Sequence, residues 1–165
     1  MSFRTTVAVA IFVSSPVFAD VDPCLVGTWQ ADLDDLAHIF AVQMEARNVL
    51  ATGNVNLNVL PTGAATLTVG DLALDMDKEG IPPMVVTLNG ATNFEFVELG
   101  GGAMSIRTEI INLVAQADVM GTAMVIPFSS AEGLFGGGLV EYGCLRNSFA
   151  VESGDPAKFP RKWTR

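Results

Sequence analysis

The chain has 165 residues, half of them hydrophobic, with 18 acidic and 9 basic side chains and a formal net charge of −9. That balance argues against binding a phosphate backbone, which needs a basic face, and disfavours anionic lipid surfaces. Two cysteines and one histidine are also too few to build a zinc-finger-type site on their own.

In chain order, residues 1–19 read as an export signal. Arg4 supplies the positive start, Val7 to Val13 the apolar core, and Val17-Phe18-Ala19 a small-residue cleavage site before Asp20. The apolar run is too short to span a bilayer. Cys24 follows Val-Asp-Pro, which is not a lipoprotein-type cleavage box, so no acyl anchor is expected. Residues 20–165 then form a single exported domain, periplasmic or secreted. They are numerous enough to bury a real core. Cys24 and Cys144 lie at opposite ends of this domain. In an oxidising compartment they are expected to pair; two separate buried thiols are the alternative.

Gly27-Thr28-Trp29 opens the domain, and a helix is expected over residues 32–51. Leu33, Leu36, Ala37, Phe40, Met44, Arg47 and Ala51 recur at helical spacing. Asp32 suits the N-cap, Asp34 and Asp35 suit the first turn, and Gly53 is expected to stop the helix. Ile39, Val42, Val49 and Leu50 make a second side apolar, as in a helix lying over a barrel mouth with residues dipping in.

Beyond that point the pattern is strand and turn. Asn54 to Val59 and Ala65 to Val69 alternate strictly, and Asp71 to Met76 continues the second of these past Gly70. Met84 to Asn89 and Thr92 to Leu99 flank Asn89-Gly90, a strong hairpin signal. Further strands are expected over Met104 to Val114, Thr122 to Ile126, Leu139 to Leu145, Ser148 to Glu152 and Phe159 to Thr164. The expected fold is mainly β: a closed or nearly closed antiparallel barrel, or failing that a sandwich. It has eight to ten strands and one helix after the first strand.

Gly27-Thr28-Trp29, the helix directly after it, and the closing Phe159-Pro160-Arg161-Lys162-Trp163-Thr164-Arg165 together resemble the calycin superfamily. The layout is similar to its fatty-acid-binding-protein branch, in an exported, lipocalin-like form. That branch ends in an Arg-x-Tyr pair that holds a ligand carboxylate. The matching positions here are Arg161 and Trp163, whose indole N–H still donates one hydrogen bond. The resemblance therefore implies a small-molecule site with Arg161 and Trp163 as polar anchor and the helix, through Phe40 and Met44, as lid. Trp29 is expected to close the barrel beneath Arg165 or Arg161. Arg107 anchors a ligand only if the polar face of its strand turns inward; otherwise it forms a solvated pair with Glu109.

Other chemistry is weakly represented. Asp75 to Gly80 resembles half a calcium loop, but Val86 stands where the bidentate glutamate belongs. His38 is the single histidine, mid-helix without a nucleophile, and Ser129-Ser130 lacks a nucleophile elbow. No catalytic residue, metal site or cofactor is read from the sequence. Six mature-chain methionines suit either an adaptable cavity or an ordinary core. The expected function is an exported, non-enzymatic binder of an apolar or amphipathic small molecule in the bacterial envelope. The alternative is a structural or protein-interaction module whose barrel is filled by Phe40, Phe94, Phe96, Phe128, Phe135 and Phe149.

Overall fold

Each strand carries an apolar face, and a ring closure buries all of those faces at once. The computed structural model describes residues 21–126, 136–154 and 159–165. The stretch expected to be an export signal, Phe128, Ser129-Ser130, Phe135 and Lys158 lie outside the described residues. The elements are β1 (Gly27–Ala31), α1 (Leu33–Met44), β2 (Asn48–Val59), β3 (Ala64–Asp77), β4 (Met84–Gly100), β5 (Ala103–Val119), β6 (Thr122–Ile126), β7 (Gly138–Leu145), β8 (Ser148–Ser153) and β9 (Lys162–Thr164).

Eight strands close into an antiparallel barrel in the order β1, β2, β3, β4, β5, β7, β8, β9, with β9 returning to β1. β6 pairs with the far end of β5 and stands outside the ring. β7 joins β5 at Ala103–Ile106, whereas β4 follows β5 out to Asp118. The far halves of β3, β4 and β5 therefore run on past the level at which β7 closes the ring. A barrel with one helix after its first strand is consistent with the calycin layout.

Three local expectations are corrected. The helix ends at Met44, not Ala51, because Glu45 turns left-handed (φ 52°) and gives its N–H to Ala41 and Val42. Val49, Leu50 and Ala51 then alternate inward, outward, inward as part of β2, and Gly53 lies mid-strand beside a register shift. Asn89-Gly90 is not a hairpin turn but the middle of the 17-residue β4. Gly90 has φ +129°, and a Cβ there would strike the Asn112 carbonyl of β5. Asn89 meanwhile accepts the Asp71 N–H at 2.8 Å, satisfying the bulge in β3. Glycine is thus used here for a close strand approach, which the dipeptide alone does not distinguish from a turn. Finally, β5 bulges at Glu109, the extra residue opposite the Asn93–Phe94 step of β4, which shifts its register by one. Ile110 then faces outward and Leu113, Ala115 and Ala117 face inward.

The end of the barrel where β1 starts is packed solid. Trp29 and Trp163 are fully buried. Phe149 meets Trp29 edge-on at 4.8 Å between centroids and stacks on Trp163 at 5.8 Å. Phe159 links Trp163 to Phe94. Each such pair adds about 0.5–1.5 kcal/mol beyond burial. Both indole N–H groups are spent inside the chain, Trp29 on the Leu25 carbonyl (2.7 Å) and Trp163 on that of Pro160 (2.8 Å). Arg165 lies over Trp29 with its guanidinium carbon 3.9 Å from the ring centroid. The same guanidinium donates to the Val26 carbonyl at 2.6 Å. It packs against Gly27, where a Cβ would sit 3.2 Å from it. Cys24 and Cys144 form a disulfide across 120 residues of sequence, with Cα atoms 6.2 Å apart.

Candidate functional site

The opposite end is built around α1. Asp32 caps the helix, its carboxylate accepting the N–H groups of Asp34 and Asp35 at 3.0 Å each. Such a cap contributes about 1 kcal/mol. The stripe Leu36, Ala37, Ile39 and Phe40 is buried in the same core as the inward residues of β2 to β5. Met44 continues that stripe one turn beyond Phe40 and is 40 % exposed.

Both helix ends are tied to the barrel. At the start, the Asp32 N–H donates to the Lys162 carbonyl at 2.9 Å. The Asp35 carboxylate, with a side chain only 1 % exposed, receives three N–H groups from Arg161. These are the Arg161 backbone N–H at 2.8 Å, Nε at 3.0 Å and Nη2 at 2.6 Å. At the other end, Lys78 Nζ donates to the Met44 carbonyl at 2.8 Å and Arg47 pairs with Glu79. A cation at the last helical carbonyls also complements the helix dipole.

The inward side chains in the far halves of the sheet are aliphatic. Ala51, Leu74, Val86 and Ala117 form one cross-strand row, and Leu72, Leu88 and Ala115 the next. All seven are buried.

The site residues expected from sequence separate in space. Phe40 is buried on the inward helix stripe, whereas Met44, one turn further on, is 40 % exposed. Arg161 stands at the helix start with its fork on Asp35, so an internal carboxylate holds the position the resemblance implies for a ligand. Trp163 lies in the aromatic packing, with its N–H satisfied by Pro160. Arg107 is on the outer face of β5 and pairs across the strand with Glu95 at 3.2 Å, not with Glu109. Its polar face does not turn inward. Arg165, not Arg161, is the arginine over Trp29.

Two arrangements were missed. Asp35 was read only as a helix-dipole partner, and its arginine is 126 residues away, with no local signal. Tyr142, the sole tyrosine, directs its hydroxyl to Asp22 Oδ2 at 3.1 Å and Glu98 Oε1 at 3.3 Å. Burial, then the hydrogen bond and charge of Asp22, then Glu98, push the phenol above its ordinary value of 10.0. One phenolic proton facing two carboxylates makes a polar clasp beside the disulfide.

His38 is exposed on the outer side of α1, in an open cleft of about 280 Å³ with Asp34, Arg47 and Asn48. A second open cleft, about 430 Å³, lies on the outer surface of β5, β7 and β8 between Leu99, Leu139, Glu141 and Glu152. Among the described residues no group of three or more histidine, cysteine or acidic side chains is placed to hold a metal ion, the Asp75 to Gly80 segment included. None of the described helices is long and apolar enough to cross a membrane. Comparison with protein families, curated proteins and solved structures finds no match to this chain.

Proposed function

We propose that this chain is an exported, non-catalytic binding protein that takes an apolar or amphipathic small molecule at the helix-covered end of the barrel. The observation that carries the reading is the asymmetry of the interior. One end is filled by two indoles and three phenyl rings. Further along the sheet, the inward positions carry no aromatic ring: they are Ala51, Leu74, Val86 and Ala117 in one row and Leu72, Leu88 and Ala115 in the next. A helix fastened by polar contacts over an aliphatic floor is suited to admit an acyl or ring system. Burial of each methylene then contributes about 0.8 kcal/mol. In this reading Phe40 and Met44 touch the ligand, and Arg161 sets the lid through Asp35.

The test is displacement of a fluorescent hydrophobic dye by palmitate. Saturable displacement is expected, and Ala117→Phe, which fills the floor, should remove it while circular dichroism keeps its β signature. Absence of dye or palmitate binding in the wild type would contradict the reading. It would also favour the second one, a filled barrel acting as a protein-interaction module. That alternative is supported by four concavities that open to the surface instead of into the barrel.

A further inference from the structure

The six methionines of the mature chain are not spread over the molecule. Met104 is fully buried on β5 near the packed end. The other five gather at the far end of the projecting sheet and the last turn of α1. Met76 of β3 and Met84 of β4 are direct cross-strand partners on the inward face. Directly opposed side chains of this kind have Cβ atoms about 5 Å apart. Met44 ends α1 one turn past the buried Phe40, and its carbonyl accepts from Lys78, two residues past Met76. Met124 of β6 belongs to the adjoining inward row, beside Ala117, and is 55 % exposed. Met120 occupies the β5–β6 turn and is 84 % exposed.

We infer that Met76, Met84 and Met44, with Met124 alongside, form a thioether site for a soft monovalent cation, copper(I) or silver(I). Three pieces of chemistry select that class. Thioethers are soft, neutral donors, which favour copper(I) over harder divalent ions. Both cysteines are bound in the disulfide, so no thiolate competes for the metal. The single histidine, His38, is exposed on the other side of α1 from the Leu36–Phe40–Met44 stripe, so an imidazole does not draw zinc or copper(II) to this end. The net charge of −9, with Asp75 and Asp77 on the outward face of the same strand, favours a cation over an anion. Binding requires no electron transfer, and the donors give up no proton. Methionine 40–55 % exposed at Met44 and Met124 is apolar surface left at a rim, where a metal would cover it.

The test is a titration of the disulfide-intact protein with silver nitrate in chloride-free buffer, read by native mass spectrometry and by the methionine methyl NMR signals. One silver ion per chain is expected, with the Met44, Met76 and Met84 methyls moving and Met104 staying still. Leucine is near-isosteric with methionine and should keep the fold. The Met44→Leu/Met76→Leu/Met84→Leu variant should lose at least about tenfold in silver affinity. Failure to retain silver, full affinity in the triple variant, or a response confined to the exposed Met120 would each overturn the inference. Palmitate binding does not enter this readout, so the site stands or falls separately from the lipid reading.

Discussion

At the base of the barrel, inward positions hold Trp29, Phe149 and Trp163, locked by a disulfide and by Arg165; under α1, inward positions of the same sheet hold alanine, leucine and methionine. The base spends its polar atoms on itself, each indole N–H reaching a nearby carbonyl. The helix end is fastened by side chains of partial exposure, with Arg161 37 % exposed and Lys78 35 % exposed. Rigid aromatic rings give a single packing. Along the far halves of the sheet the inward chains are alanine, valine, leucine and methionine, without aromatic rings. The proposed function places stability and binding at opposite ends of one sheet.

Substitutions should reproduce that division. Trp163→Ala removes a fully buried indole and should cost about 3–5 kcal/mol, whereas Met44→Ala, at the half-exposed rim, should cost under about 1 kcal/mol. Denaturant midpoints measure both, and equal losses would erase the distinction between the ends. Arg161→Ala comes next, because it strands the buried Asp35 carboxylate. About 3 kcal/mol is expected, with Asp35→Ala/Arg161→Ala recovering part of it. A double-mutant cycle by the same method gives the coupling. No coupling would mean that the helix is held by its apolar stripe alone.

The smallest effect belongs to Tyr142. Its phenol is held above the ordinary value of 10.0, so the folded state keeps its proton longer than the unfolded chain does. The stability this supplies is fully present below about pH 10 and is lost as pH rises through the folded value. As the sole tyrosine, Tyr142 can be followed directly by phenolate absorbance. Its transition should lie to the alkaline side of that of free tyrosine, and Tyr142→Phe should flatten the alkaline slope of stability. An ordinary transition would remove the clasp from the account of the base.

Most of the architecture was legible because period-two alternation is local: Asn54 to Val59 and Ala65 to Val69 announce their faces without help from the rest of the chain. What escaped depends on distant partners or on a single residue. The bulges near Asp71 and Glu109 reverse which side chains face inward, and nothing adjacent in sequence marks them. Asn89-Gly90 carries the composition of a turn, yet Gly90 serves a close approach to Asn112 on the neighbouring strand. Val49 to Ala51 satisfies helical and strand periods alike, and the choice is made at Glu45, where the chain turns left-handed. The resemblance singled out Arg161 as an anchor for a ligand carboxylate, whereas the carboxylate it meets in the structure is Asp35, 126 residues away.

The division of labour between the two ends is tested most directly by amide hydrogen exchange, followed segment by segment with and without palmitate. The account predicts that α1 and the far halves of β3, β4 and β5 exchange faster than β1, β8 and β9 in the free protein, and that palmitate slows them selectively. Uniform exchange along the barrel, or protection by palmitate at the Trp29–Trp163 end, would contradict it.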